Sequence, residues 1–356
     1  MKTEILTNGT FQKLIYSASL ASSADNMQPW EFKKSDDSIE VHCAKSRLLP
    51  TDIFNMFTWI SIGAAIQNIV ISAEANNLVS FIDYNPSITI DNLIVRIRFL
   101  RSYCNNYLEK WLAKRMSNRN PYLPKPLKQE IISKLSENVM QFNSKIYWTT
   151  SFFDFAILSK LDANSSYIRL EHKPFHDELF DILRFSKKEL EKVRYGLCFD
   201  DINVPRTASI VAKYLSNWTI NKVVSNLGLS RLVAKNLSVK LRKTGAICLL
   251  TVQKSNPQSY IEAGRAMQQL WLAATAQGLS VQPYGVLPQY FTRLLFAPES
   301  FTPEHLGTIQ KNKEIFYSVF PEAENEYPAI VLRIGISKKQ KNKSMIRLNT
   351  DRIIKE

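Results

Sequence analysis

Apolar residues recur along the chain with two periods, every three to four residues in some segments and every second residue in others. The longer period indicates helices packed by one face, and the alternation indicates strands with one buried side. Helices are predicted over 10–22, 55–77, 105–116, 126–141, near 154–162 and 175–184, over 207–241 and over 260–277. Strands are predicted as a pair over 30–43, and over 93–100, 145–153, 246–253, 294–296 and 329–336. Helices mixed with non-consecutive strands predict an α+β fold.

Two of the predicted helices carry related sequences. Residues 60–78 align without gaps with residues 261–279, and seven of the 19 positions are identical. Two amphipathic helices can look alike by chance, but glycine and alanine recur here at matching positions, as they do where a helix packs closely on a neighbour. We interpret the pair as a duplicated unit. Since only two widely separated copies exist, a pseudo-dimer is expected rather than a solenoid.

The composition is that of an ordinary globular protein, with 356 residues of which 45% are hydrophobic and 22% charged. It excludes disordered, collagen-like and disulfide-scaffold classes, and the length fits about two domains or one duplicated fold. The net charge of +14 is uneven, since eight basic residues and no acidic one lie between Arg206 and Lys243, and four lysines lie between Lys338 and Lys343. Such a field attracts nucleic acid, anionic lipid or a phosphorylated small molecule, and charge alone does not choose among them.

Several kinds of site and location are disfavoured. The four cysteines lie far apart in apolar surroundings, which predicts buried thiols and a reducing, cytoplasmic location. No stretch approaches the roughly 18 uncharged apolar residues of a membrane-spanning helix, so a soluble protein is expected. The ten glycines form no GxGxxG or Walker loop, and the four histidines are too dispersed for a metal site, so no metal is predicted.

Three polar segments carry the candidate chemistry. In 22–30, a serine pair and an Asp-Asn pair at a helix end offer hydroxyl and amide partners to a polar ligand. In 115–122, an extended backbone would place Arg115, Ser117 and Arg119 on one side, which suits a phosphate; a solvated basic patch is the alternative. In 278–288, a turn shaped by glycine and proline offers backbone N–H groups to a planar ligand.

Together these segments resemble the nitroreductase superfamily of FMN-binding flavoproteins. Residues 22–30 are similar to its Ser-x-x-Asn-x-Gln-Pro-Trp segment, residues 115–119 to its Arg-x-Ser-x-Arg phosphate motif, and residues 262–279 to the helix before its flavin-edge loop. The duplicated layout resembles the single-chain, pseudo-dimeric Acg-like subfamily, in which one chain replaces the usual homodimer and a helical insertion covers the flavin. The resemblance covers most of the chain, apart from the stretch around 190–243.

The resemblance implies a set of FMN-binding residues drawn from distant parts of the chain. Those implied for the phosphate, ribityl and pyrimidine groups are Arg115, Ser117, Asn118 and Arg119. Those implied from the pseudo-partner are Ser22, Ser23, Asn26 and Gln28. Those implied at the flavin N5 edge are Gln282, Pro283, Tyr284 and Gly285, and a second phosphate ligand is Arg347. The catalytic residues stay unknown.

Departures from the family pattern imply one FMN per chain. No arginine precedes Arg47, so the first half, 1–110, lacks a phosphate motif, and the second half, 111–356, carries that motif but no Gln-Pro-Trp copy after it. Since each half supplies what the other lacks, a monomer is expected. A basic helical lid at about 190–243 is expected to pack over the flavin through residues such as Tyr214 and Trp218.

Two functions from different classes stay open. An FMN-dependent oxidoreductase would transfer a hydride or electrons through flavin N5 to or from a small molecule, with an anionic substrate favoured by the basic lid and NAD(P)H as a candidate donor. A storage protein would sequester FMN under a closed lid, without NAD(P)H-driven turnover. Nucleic acid and membrane are weaker candidate partners, because the apolar faces of the insertion are expected to pack in the core.

Overall fold

Helices are mixed along the chain with the strands of two four-stranded sheets and one two-stranded parallel pair in the described residues, which confirms the predicted α+β class. The computed structural model describes residues 6–202, 207–338 and 346–355. Its helices are α1 (Asn8–Ser19), α2 (Met56–Glu74), α3 (Gln129–Glu137), α4 (Phe152–Glu171), α5 (Lys173–Ile182), α6 (Lys187–Val193), α7 (Thr207–Leu215), α8 (Trp218–Asn226), α9 (Leu229–Ser238), α10 (Pro257–Ala276), α11 (Val286–Phe296) and α12 (Pro303–Val319). Its strands are β1 (Trp30–Ser35), β2 (Ser38–Cys43), β3 (Leu78–Tyr84), β4 (Val95–Arg101), β5 (Lys145–Thr149), β6 (Leu183–Arg184), β7 (Leu197–Cys198), β8 (Ala246–Val252), β9 (Ser280–Tyr284) and β10 (Tyr327–Gly335).

The two four-stranded antiparallel sheets found in the described residues have the same topology. The strand order is β1-β2-β4-β3 in the first and β5-β8-β10-β9 in the second. In the first sheet β2 pairs with β1 and β4, and in the second sheet β8 pairs with β5 and β10. One long helix joins the second strand to the third in chain order, α2 between β2 and β3 and α10 between β8 and β9. Strand β4 alternates buried and exposed residues, whereas every residue of β8 is buried, because apolar clusters cover both faces of the second sheet.

The two helices with related sequences, α2 and α10, pack against each other. A methyl group added at Gly63 would lie 2.0 Å from the carbonyl oxygen of Ile261, and one added at Gly264 would lie 2.0 Å from that of Ile60. Neither position admits a side chain, so these glycines set how closely the two backbones approach. The same alignment that matches the glycines matches Ile60 with Ile261, so the contact is reciprocal.

Buried amide side chains pair across this crossing. Gln67 donates to the Gln269 side chain over 3.0 Å, and Gln268 donates to the Asn68 side chain over 2.8 Å. The oxygen of Gln268 accepts from the Ser22 hydroxyl over 3.0 Å. These groups satisfy one another inside the core, as buried polar groups must. The helix crossing thereby fixes one end of the polar segment 22–30.

Three local predictions are wrong. Residues 105–116 form only a short 3-10 turn at Glu109–Trp111, since Asn106 bonds the Leu108 N–H with its side chain and competes with a helix start. Residues 294–296 end helix α11 and are not a strand. Residues 280–284, interpreted above as part of a turn, form β9. Pro283 is tolerated there because β9 lies at the edge of its sheet.

Helices α4 to α9 form an insertion between β5 and β8. Within it α9 packs along α4, where the Ser238 hydroxyl donates to Asp162 over 2.6 Å. The expectation that the apolar faces of the insertion pack in the core is wrong for α7 and α8, since Tyr214 is 64% exposed and Leu227 is 74% exposed. Arg206 and the predicted basic tail beyond Lys338 lie outside the described residues.

Helix α2 lies in the core of the fold. The segment Ile53–Glu74 is long and apolar enough to cross a membrane, contrary to the expectation from the sequence, but 94% of its most apolar window is buried inside the protein. It packs between α1 and α10. Three cysteine thiols are buried as predicted, whereas that of Cys104 is partly exposed.

Candidate functional site

A cavity of about 300 Å³ lies where the end of α1, helix α4, strand β9 and the C-terminal segment meet. Most of the residues predicted to bind a cofactor line it. They are Ser22, Ser23, Asn26, Arg115, Ser117, Arg119, Gln282, Pro283, Tyr284, Gly285 and Arg347. The structure therefore gathers three separated segments of the sequence around one space.

The backbone after α1 turns sharply to present its polar side chains. Asp25, Asn26 and Gln28 have positive φ angles of 44°, 60° and 53°. Asparagine and aspartate tolerate this left-handed conformation better than most residues, whereas for Gln28 it is strained. Ser23 Oγ accepts from the Gln28 N–H over 3.1 Å and so holds the turn closed. Strained backbone of this kind clusters at ligand sites.

Gln28 and Asn118 are not among the residues that line the cavity. The Gln28 side chain is fully buried, where it donates to the Arg194 carbonyl over 2.9 Å and accepts from the Leu348 N–H over 2.9 Å. The Asn118 side chain donates to Ser280 over 3.0 Å. Both side chains thus position neighbouring segments of the wall.

Two buried arginines line the cavity. Arg115 is 5% exposed and Arg347 is 8% exposed. Arg115 donates to the Leu20 carbonyl over 3.0 Å and lies over the ring of Trp271, 4.6 Å from its centroid. Arg347 donates to the side chain of Asn26. Within the described ranges neither guanidinium has a carboxylate within 4.0 Å or a carboxylate that shifts its pKa.

The burial of these two cations has an electrostatic cost. Desolvation, together with a smaller effect of the nearby charge of Arg347, lowers the pKa of Arg115 to about 9. Desolvation also lowers the pKa of Arg347 to about 10. The Nε atom of Arg115 is buried and makes no hydrogen bond. A buried charge is costly unless it is paired, so this end of the cavity is built for an anion.

The segment that follows Arg115 is extended, as predicted. Ser117 forms a parallel bridge with Val281, and Arg115, Ser117 and Arg119 line the cavity while Asn118 does not. Lys240, from the turn after α9, adds a further cation to the lining, besides Arg115, Arg119, Arg169 and Arg347. Burial lowers its pKa to about 8, with smaller contributions from neighbouring arginines. This cluster strengthens the anion-binding character of one end of the cavity.

Strand β9 supplies another wall. Gln282 Oε1 and the Tyr284 hydroxyl are buried and make no hydrogen bond. A methyl group added at Gly285 would lie 2.6 Å from the Phe57 ring, so a larger residue here would have to displace that ring. The segment that was expected to be a turn with free backbone N–H groups is thus strand β9, and two of its side chains carry polar atoms without a partner among the described residues. A ligand that carries both donors and acceptors would pair them.

Sequence reasoning missed part of the lining, contributed mainly by the insertion. Asp162 and Arg169 lie on α4 and Glu178 lies on α5. Burial raises the pKa of Asp162 to about 6, and Arg169 forms an ion pair with Asp25 at 3.3 Å. Asp162, Ser166 and Arg169 recur at helical spacing on one face of α4, and this pattern was the signal available in the sequence.

Tyr214 and Trp218 are not among the residues that line the cavity. Tyr214 is exposed, and Trp218 packs on His176 with ring centroids 5.1 Å apart. The stretch 190–243, which was expected to form the lid, instead reaches the cavity through Leu197, Ile202, Leu237 and Lys240.

Comparisons with known proteins give remote similarities. No family model matches the chain. An uncharacterized protein of Mycobacterium tuberculosis is 20% identical over 277 residues, which cover 74% of this chain, and the chain spans 37% of that protein's length.

Solved structures similar to the chain include nitroreductases. One with bound FMN from Desulfitobacterium hafniense is 13% identical and covers 70% of this chain and 97% of its own, with a TM-score of 0.35. The FMN-dependent nitroreductase NfnB from Mycobacterium smegmatis, solved in complex with NADPH, is 12% identical and covers 68% of this chain and 95% of its own, with a TM-score of 0.37.

Proposed function

We propose that this chain is an FMN-dependent oxidoreductase of the nitroreductase type, with one FMN in the cavity described above. The observation that carries the proposal is the pair of buried guanidinium groups, Arg115 and Arg347, which line the cavity without a carboxylate partner in the described chain. A phosphate dianion would supply the missing countercharge. The motifs in 22–30 and 115–119 that resemble the superfamily meet at this same cavity.

The residues of the cavity fit FMN. Arg115, Arg119 and Arg347 would hold the phosphate, and Ser117 lies between the first two in the sequence. Gln282 Oε1 and the Tyr284 hydroxyl, which lack partners, suit the N–H and carbonyl groups of a flavin. When bound, FMN would supply electron transfer at N5 between a donor such as NAD(P)H and an electron-poor acceptor.

The chain's own residues have positioning roles in this proposal. The cationic end neutralises the phosphate and fixes which way the ligand points. Apolar side chains of Phe57, Met267 and Trp271 line the cavity and exclude water from its middle. Asp162, protonated below about pH 6, lies in the same lining and can hold a proton there.

We also infer that the chain is a duplicated unit that acts as its own partner, and therefore a monomer. The shared sheet topology and the reciprocal glycine contact support this inference. The alignment of 60–78 with 261–279 can be continued along the chain in the same register. In that register Ser61 and Gly285, which both line the cavity, match Glu262 and Tyr84 respectively. The Tyr84 hydroxyl bonds Glu262, which also accepts from Arg265 over 2.8 Å. The presence of these larger side chains at the matching position supports the proposal of one ligand per chain.

A spectrum of the purified protein tests the proposal. We expect flavin absorbance, release of FMN on denaturation, and about one FMN per chain. Two tightly bound flavins per chain would contradict the filled second position, and a protein that takes up no FMN on reconstitution would contradict the proposal itself.

Flavin storage is the second candidate. It is favoured by the insertion, because Leu237 and Lys240 close part of the cavity wall. Anaerobic addition of NADH or NADPH separates the two functions. Bleaching of the flavin absorbance supports the oxidoreductase, whereas a flavin that stays oxidised with both donors supports storage.

A further inference from the structure

The helices α7, α8 and α9 leave apolar side chains in solvent. On each helix these side chains follow helical spacing, and together we call them the exposed stripes. They are Ile210, Val211 and Tyr214 on α7, Ile220, Val223 and Leu227 on α8, and Leu229 and Leu232 on α9. Single exposed apolar residues are ordinary, but a concentration of them on three consecutive helices marks an interaction surface.

The same helices carry cations and no acidic residue. Lys213, Lys222, Arg231 and Lys235 are exposed. No aspartate or glutamate occurs in the sequence between Asp201 and Glu262. Short helices with an apolar stripe and a basic remainder are the pattern of segments that lie in the interface of an anionic bilayer.

We propose that α7, α8 and α9 form a docking surface for anionic lipid bilayers, with the exposed stripes entering the headgroup boundary and the basic side chains contacting lipid phosphates. This proposal does not depend on the bound cofactor. It revises the expectation from the sequence that a membrane is a weaker candidate partner, because that expectation required the stripes to be buried.

Docking would place the cavity next to the bilayer. Helix α9 runs directly into Leu237 and Lys240, both of which line the cavity. A membrane-dissolved apolar substrate would therefore meet the insertion before it met bulk water.

Two other partners for this surface, a second copy of the chain and a nucleic acid, are less favourable. Pairing the surface with a second copy of itself would bring two sets of like charges together, which costs free energy. Nucleic acid would neutralise the basic residues but would leave the exposed stripes against phosphates and water, and Tyr214 is the sole aromatic ring among them for stacking on bases.

Vesicle sedimentation with the full chain tests the proposal. We expect binding to vesicles of mixed phosphatidylcholine and phosphatidylglycerol, little binding to phosphatidylcholine alone, and weakening as NaCl is added. Leu232→Asp should weaken binding about tenfold or more, since it removes an apolar contact. Lys222→Gln should weaken it about fivefold, the ratio that corresponds to ~1 kcal/mol for one basic residue.

Matched controls lie elsewhere on the surface. Leu100 on β4 is 54% exposed, as Leu232 is, and Lys311 on α12 is exposed, as Lys222 is. Leu100→Asp and Lys311→Gln should bind vesicles like the unchanged protein, and all four variants should keep its thermal unfolding. Equal losses in test and control variants, equal binding to neutral vesicles, a dimer that only the test variants dissociate, or a DNA duplex bound more tightly than the vesicles would each overturn the proposal.

Discussion

Arg115 and Arg347 both line the cavity, and both donate hydrogen bonds to uncharged oxygens. Arg115 donates to the Leu20 carbonyl and Arg347 to the Ala21 carbonyl. Carbonyl oxygens replace part of the lost hydration but none of the missing countercharge. The protein without ligand therefore carries an electrostatic cost, which an anion removes on binding. Ligand binding and stability are consequently linked.

Removing one of these arginines should affect the two states in opposite ways. Arg115→Ala is expected to weaken FMN binding by about 1.5–3 kcal/mol, the range for hydrogen bonds to charged groups. The same change should leave the unfolding of the ligand-free protein unchanged or shift it to higher temperature, because an uncompensated buried charge is lost. Flavin fluorescence titration and thermal unfolding of the apoprotein measure the two effects. Arg96→Ala, which breaks an exposed ion pair with Glu40, is the control and should bind FMN normally.

Asp162 gives a prediction about pH. Burial raises its pKa from 3.8 to about 6. Between these values the folded protein binds a proton that the unfolded chain does not, so this group's contribution to the free energy of unfolding falls as the pH rises, by ~3 kcal/mol in total. Asp162→Asn should remove that dependence. Urea unfolding of the apoprotein from about pH 4 to pH 7 measures the difference between the two proteins.

Asp83→Asn provides a control of opposite sign. The Arg98 side chain hydrogen-bonds Asp83 and lowers its pKa, so the stability from this pair is present at neutral pH and is lost as the pH falls below the ordinary range of a carboxyl. If Asp162→Asn and Asp83→Asn changed the pH dependence of the free energy of unfolding in the same direction, the burial of Asp162 would not be the cause of the effect at that residue.

Elements with a clean pattern were predictable from the sequence, and elements shaped by distant contacts were not. Strands β1, β2 and β8 and helices α2 and α10 lie where the apolar spacing placed them. Strand β9 was missed because Gly278 and Pro283 are typical of turns, and its pairing partner β10 lies about fifty residues later. Tertiary pairing decided the structure of that segment.

The residues of the cavity likewise include some that the sequence predicts and some that depend on distant contacts. Arg115, Ser117 and Arg119 were predictable because an extended backbone places alternate residues on one side. The lack of a carboxylate partner for Arg115 and Arg347 within the described ranges was not predictable, since it depends on what every other segment brings near them. Lys240 was overlooked because it is one of many cations in a basic run.

The close crossing of α2 and α10 predicts that Gly→Ala substitutions in different helices change the stability of the protein in opposite directions. Gly63→Ala or Gly264→Ala should destabilise the protein by several kcal/mol, about 3 or more, because the added methyl would overlap a carbonyl oxygen and force the helices apart. Gly307→Ala on α12 meets no atom within 4 Å and should stabilise it by about 0.5–1 kcal/mol through helix propensity. Urea unfolding measures all three. Equal effects at Gly63 and Gly307 would contradict the tight crossing.

The molecule combines a rigid centre with a loosely attached insertion. Helix α2 buries almost every side chain, whereas α8 buries only Asn221 and Ser225. Local opening is easiest where few side chains are buried, so the two regions should differ in their exchange with solvent.

Hydrogen exchange should reveal that difference directly. Amides of α7 and α8 are expected to exchange faster than those of α2 and α10, because fewer of their side chains are buried. Mass spectrometry of peptides after timed labelling provides the measurement, and α12 serves as a surface helix of ordinary burial for comparison. If α7 exchanged as slowly as α10, the insertion would belong to the rigid core.

The bond between Asn26 and Arg347 joins side chains 321 positions apart. Leu348 N–H bonds Gln28, and Ile354 forms a bridge with Phe32, so the C-terminal segment closes over the start of the chain. During synthesis on the ribosome, everything up to the last strand emerges before Arg347 does, and the N-terminal part folds first. A nascent chain therefore has no finished pocket and cannot capture flavin. On the proposed function, cofactor loading would therefore follow the synthesis of Arg347.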